Sequence, residues 1–91
     1  MRVRWTVEAR SDLVRLYDFL APVNPAAAAR VVQSLRSAPR PLRDHPRIGR
    51  RLDRYRPREV RRMVIGDYEL RYEVLRDAVI VLNIWHTRED R

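Results

Sequence analysis

The chain has 91 residues, 45% hydrophobic and 35% charged, which is the length and balance of one small folded domain over residues 1–91 rather than of a disordered segment. It contains no cysteine, excluding a disulfide framework, a thiolate metal site and a cysteine nucleophile. All 20 basic residues are arginines, the formal charge is +8, and residues 40–62 hold a net +7 of it, from ten arginines against three acids.

No apolar core of a signal peptide follows "MRVRW", because Glu8, Arg10 and Asp12 interrupt the segment. The longest apolar stretch, "AVIVLNIW" at 78–85, is far too short for a membrane span and has the length of a buried strand. With no cysteine to protect, a cytoplasmic location is expected, with no membrane partner.

In chain order, "RVRW" alternates arginine with Val3 and Trp5 and predicts a short strand. Thr6 is placed to cap a first helix, with Glu8 in its first turn and Ala9, Leu13, Leu16, Tyr17 and Leu20 on its inner face. Asn24 and Pro25 then predict the cap and first position of a second helix, whose inner residues are Ala28, Val31, Val32 and Leu35. The short link makes the two helices an antiparallel hairpin.

Pro39 and Pro41 end that helix, and "PLRDHPRIGR" reads as an irregular crossing anchored by Leu42 and Ile48. From Val60 the period becomes two. "VRRMVI" and "YELRYEVL" flank Gly66-Asp67, a hairpin turn, and "VIVLNIW" follows after "RDA". Tyr68, Leu70, Tyr72 and Val74 share one face, with Glu69, Arg71 and Glu73 on the other. The expected architecture is α+β: a strand, an antiparallel helical hairpin and a three-stranded antiparallel meander (β-α-α-β-β-β), the helices packed on one face of the sheet.

The inventory for chemistry is thin. Gly49 and Gly66 are the only glycines, so no glycine-rich phosphate loop exists, and no zinc-ligand spacing is present; neither cofactor nor metal is expected. A metal-free ribonuclease needs a base for the 2′-hydroxyl, an acid for the leaving oxygen and cations for the charge on phosphorus. His86, at the end of the last strand, can serve as acid or base, and Arg62 and Arg88 can supply charge. The plainer reading is that His86, by strand parity with Ile80, Leu82 and Ile84, closes the core. Trp5, Tyr68, Tyr72 and Trp85 also read as core or core-edge residues.

The run "HPRIGRRLDRYRPREVRR" at 45–62 has eight arginines and two acids. Its arginines lie in a segment broken by Pro57 rather than along a recognition helix, which disfavours direct sequence-specific DNA binding. Tyr55 is the single aromatic residue interleaved with them, too few for a base-stacking strip.

As a whole the chain resembles the ParE/RelE superfamily of toxins from bacterial type II toxin-antitoxin systems. The features that carry the resemblance are "EARSDLVRLYDFL", "NPAAAARVVQSL", "HPRIGR", "YRPREVRRMVIGDYELRYEV" and "VIVLNIWHTRED", in that order over almost the whole chain. The resemblance implies a growth-inhibiting toxin held in check by a cognate antitoxin. ParE-like members act on DNA gyrase; RelE-like members cleave mRNA on the ribosome. Glu69 stands where RelE-like nucleases commonly place a basic residue, and only Arg91 remains after "HTRED", so the ParE-like branch and gyrase are favoured. The nuclease alternative rests on Arg62, His86 and Arg88. A third alternative is an inactive interaction module that keeps the toxin fold. Because antitoxin segments tend to be acidic, Arg50, Arg51, Arg54, Arg58 and Arg61 are the expected electrostatic part of the antitoxin-binding surface, with Arg62 behind them.

Overall fold

The computed structural model describes residues 1–89. Strand β1 (Arg2–Trp5) leads into helices α1 (Val7–Leu20) and α2 (Pro25–Ser37). A 3-10 turn, Arg40–Arg43, precedes the two-residue strand β2 (Arg50–Arg51), and a second, Asp53–Tyr55, precedes β3 (Val60–Ile65), β4 (Tyr68–Val74) and β5 (Ala78–His86). The strands form one mixed sheet in the order β1-β5-β4-β3-β2, with β1 parallel to β5 and the remaining pairs antiparallel. The α+β fold with helices on one face is as the sequence predicts. The short β2, inside what reads as an irregular segment, is an addition.

Both helix starts follow the capping chemistry of their sequences. The Ala9 N–H donates to the Thr6 hydroxyl at 3.0 Å and the Ala27 N–H to the Asn24 amide oxygen at 3.0 Å, with Pro25 in the first turn of α2. The hairpin between β3 and β4 turns at Gly66, whose φ of +59° suits the first central position of a type II′ turn. The core lies between the hairpin and the sheet: Ala9 and Leu16 from α1, Leu35 from α2 and Leu42 meet Leu70, Tyr72, Val79, Val81 and Ile84.

Strand parity in β5 is not continuous. Arg71 pairs with Asn83 while Tyr72 pairs with Val81, so Leu82 is an extra residue, a β-bulge. Val79, Val81, Ile84 and His86 therefore share the helix-covered face, correcting the expectation that Ile80 and Leu82 align with His86. Ile48 is 57% exposed and anchors nothing, whereas Leu42 is fully buried. Tyr17, expected on the inner face of α1, is exposed.

The loop before β2 is held from within the core. The Tyr72 hydroxyl donates to the Pro46 carbonyl at 2.8 Å and accepts from the Gly49 N–H at 2.9 Å. A Cβ at Gly49 would sit 2.6 Å from both the Arg62 carbonyl oxygen and that hydroxyl, so glycine is required there by close approach.

Helix α1 also completes the sheet edge. β1 ends opposite Val81, leaving the last residues of β5 without a strand neighbour on that side. The Thr6 hydroxyl donates to the Leu82 carbonyl at 2.8 Å, the Ile84 N–H donates to Asp12 at 2.8 Å, and Arg15 donates to the Ile84 carbonyl at 3.1 Å. These contacts satisfy backbone groups that would otherwise be orphaned, and they explain why a carboxylate, Asp12, is buried.

Candidate functional site

The sheet face opposite the helices carries the polar side chains of the meander. Arg62 lies opposite Arg71, which lies opposite Asn83, and Arg50 lies opposite Arg62, so all four point away from the core. Glu69, on the same face, is 7% exposed and accepts from Arg62 at 3.2 Å and from Arg71 at 2.9 Å. One buried carboxylate between two guanidinium groups is an arrangement in which each ion offsets the desolvation of the other.

Arg71 extends this cluster through aromatic rings. Its guanidinium lies 4.6 Å from the Trp85 ring centroid and 5.9 Å from that of Tyr55, whose hydroxyl accepts from Arg71 at 2.8 Å. Arg54 lies 5.2 Å from the Tyr55 ring. The Arg54 hydrogen bond lowers the Tyr55 phenol below its ordinary value, assisted by the charge of Arg71 and opposed by burial. With the Arg58–Glu73 pair, bidentate at 2.9 and 3.1 Å, these contacts lay the loop from Leu52 to Glu59 across the open face.

The arginine run divides into two kinds of residue. Arg47 and Arg61 share Glu59, Arg56 pairs with Asp53, Arg58 with Glu73 and Arg62 with Glu69. Arg61 also donates to the Gly49 carbonyl at 2.7 Å, which makes it a brace for the loop rather than a free contact. Burial alone would raise the Glu59 carboxyl, but the hydrogen bonds from Arg61 and Arg47 prevail and hold it below its ordinary value. Arg50, Arg51 and Arg54 make no ion pair among the described residues. Of the five arginines predicted to meet a partner, these three retain their full charge for one, Arg51 only half-exposed and with its Nε buried without a hydrogen-bond partner.

Of the residues of the nuclease alternative, His86 and Arg88 are neighbours, whereas Arg62 stands apart from both. Arg62 points to the open face, whereas His86 lies opposite Tyr68 on the helix-covered face, their rings edge to face at 5.2 Å. Arg88 is exposed in the turn after β5, and its N–H donates to His86 Nδ1 at 3.1 Å. The sheet stands between the histidine and the arginine that were to act on one phosphate.

A second surface lies on the helical hairpin. Trp5, Leu13, Val14, Tyr17 and Val32 line a groove of about 670 Å³, with Arg10 and Arg36 beside them. Val14 is 61% exposed, an apolar side chain without cover. The helical periodicity that places Leu13 and Tyr17 on the inner face does not reveal this groove, which also takes Trp5 from β1 and Val32 and Arg36 from α2. The Tyr55–Arg71–Trp85 stack was equally illegible, because the bulge and the folded-back loop bring it together.

Comparison with known proteins gives a consistent result. The family model described as the ParE toxin of the type II toxin-antitoxin system parDE matches residues 3–91. The chain is 33% identical over 85 residues to Toxin RelE2 of Caulobacter vibrioides, covering 93% of each chain. It is 32% identical over 87 residues to Toxin RelE3 of the same bacterium, covering 91% of this chain and 90% of the relative. Its fold is similar to that of a chain from the chromosomal ParDE system of P. aeruginosa, with a TM-score of 0.78 and 24% identity over 94% of this chain and 95% of that one. The relatives carry RelE names and the family model a ParE name, so the names do not divide the two branches. This chain belongs to the ParE toxin family of type II toxin-antitoxin systems.

Proposed function

We propose that this chain arrests growth by poisoning DNA gyrase in the cytoplasm and that a cognate antitoxin neutralises it. The observation that carries a protein target over RNA cleavage is the separation of Arg62 and His86 onto opposite faces of the sheet. General acid-base catalysis needs its proton donor and its charge-stabilising groups within reach of the same reacting atoms. Arg62 is moreover already engaged by Glu69.

The antitoxin has a place to dock. An amphipathic segment with apolar residues toward Val14 and Tyr17 and acids toward Arg10 and Arg36 fits the hairpin groove. Arg50, Arg51 and Arg54 steer its acidic part, which raises the association rate more than the final affinity.

Supercoiling by purified gyrase in the presence of the purified chain tests the target. The expected result is inhibition that His86→Ala leaves unchanged. Undiminished supercoiling at excess toxin, together with arrest of translation in a cell-free system, would replace the gyrase reading. One observation keeps ribosome-dependent mRNA cleavage as a second reading: the lowered phenol of Tyr55 shares the open face with Arg62 and Arg71. On that reading Tyr55→Phe, not His86→Ala, would abolish mRNA cleavage.

A further inference from the structure

Strand β4 sends Glu69, Arg71 and Glu73 outward, and the loop from Leu52 to Glu59 lies over the last two as a strap. Its ends are fastened by backbone: the Leu52 N–H donates to the Val60 carbonyl at 2.8 Å, and the Val74 N–H to the Glu59 carbonyl at 2.9 Å. Between those ends the backbone bonds only to itself, from Tyr55 to Leu52, from Arg56 to Asp53 and from Arg58 to Tyr55; among the described residues no such bond joins residues 53–58 to the sheet. No residue of the turn Asp53–Tyr55 is buried, and Arg56, Pro57 and Arg58 are exposed. The middle of the strap therefore has no apolar anchor.

Two side-chain clasps hold it down. Arg58 grips Glu73 through two hydrogen bonds, and the Tyr55 hydroxyl accepts from Arg71. The first clasp is exposed, where an ion pair is weak and screened by salt. Like charges oppose closure, since Arg54 and Arg71 both approach the Tyr55 ring, at 5.2 and 5.9 Å. Helix α1 does not brace the strap either: a gap of about 550 Å³ lies between Tyr55 and the Glu8 and Ser11 side chains.

Beneath the strap lie groups with little contact with water. Trp85, opposite Glu69 in the sheet, is 8% exposed, and Glu69 is 7% exposed. The Trp85 ring is covered by the Arg71 guanidinium at 4.6 Å, which is itself tied to Tyr55. Lifting the strap removes Tyr55 from Arg71 and loosens the cover of that ring.

We propose that residues 52–59 form a lid, closed over Trp85 by the Arg58–Glu73 and Tyr55–Arg71 clasps and opened by an acidic peptide segment that takes Arg54 and Arg58. In the closed lid the Arg58 fork is occupied by Glu73, so a partner carboxylate must displace that residue. An acidic segment thus binds the open form better and shifts the population toward it. Arg54, which makes no ion pair among the described residues, is the second contact. This inference rests on the strap's own contacts and not on gyrase being the target.

Trp5→Phe leaves Trp85 as the sole tryptophan, and quenching of its fluorescence by acrylamide, which is neutral, measures its exposure. The partner probe is hexaglutamate at about 50 mM salt, where charge contacts are weakly screened. Saturation with the peptide should raise the quenching constant at least about twofold, with far-UV circular dichroism unchanged. Glu73→Gln should raise it without peptide. Arg58→Gln should raise the starting value and abolish the response to hexaglutamate.

Peptide binding that leaves Trp85 quenching unchanged would show that the strap is a fixed part of the fold, and would overturn the lid. So would absence of binding at this salt concentration, or a rise in quenching accompanied by loss of the circular dichroism signal, which is unfolding. If Trp5→Phe destabilises the domain, solvent exchange of the Trp85 indole N–H, resolved by NMR in the parent chain, decides between the same outcomes.

Discussion

Tyr72 shows how one side chain joins the core to the surface chemistry. Its ring is fully buried, its hydroxyl ties Pro46 and Gly49, and burial raises its phenol above the ordinary value, so it stays a neutral donor. Tyr72→Phe is expected to cost about 1–3 kcal/mol, because the Gly49 N–H is left unpaired in a buried site. Denaturant unfolding would measure this, and a loss below a few tenths of a kcal/mol would mean that water replaces the hydroxyl. The face of Tyr72 was legible in the alternation of "YELRYEV". Its bonds were not, since Pro46 and Gly49 lie 26 and 23 residues away. The same holds for Asp12, whose buried carboxylate is the acceptor for the Ile84 N–H, 72 residues away.

At the scale of elements, the helical hairpin and the β3–β4 turn are specified locally. Asn24→Ala should lower stability by about 1 kcal/mol, since the Ala27 N–H loses its capping acceptor. Thermal melts can read this directly, and the lost stability should return with Asn24→Asp, which also caps. Gly66 is a different case: nothing lies within 4 Å of a Cβ placed there, so any cost of substitution comes from its positive φ alone. Elements that depend on neighbours were harder to foresee. β2 has two residues and exists because β3 offers it an edge, and the bulge at Leu82 shifts parity where β5 passes from β1 to the polar side chains of α1. No local pattern in "AVIVLNIWH", apolar on both faces, distinguishes a regular strand from a bulged one.

Across the molecule, the excess of positive charge is organised by a minority of acids. Glu59, with its carboxyl below the ordinary value, contributes stability that is full above the unfolded carboxylate range and is lost as pH falls through the folded value. Glu59→Gln should therefore unfold more easily than the parent at neutral pH, with the gap closing as the medium is made more acidic; a gap independent of pH would show that the Arg47 and Arg61 pairs are neutral in effect. For the partner surface, Arg50→Glu, Arg51→Glu and Arg54→Glu together should slow antitoxin association about tenfold or more at low salt and flatten its salt dependence. Stopped-flow mixing would test this, and unchanged rates would remove the run from docking. The sequence by itself determined the helical hairpin, its caps, the meander and the family, because these rest on local periodicity, turn chemistry and the order of short motifs. Only the tertiary structure decided which arginines are free, how Arg62 and His86 stand relative to each other across the sheet, and where the hairpin leaves a groove. Those properties depend on pairings between residues far apart in the chain, and one extra residue in a strand reverses the face on which every later side chain would otherwise fall.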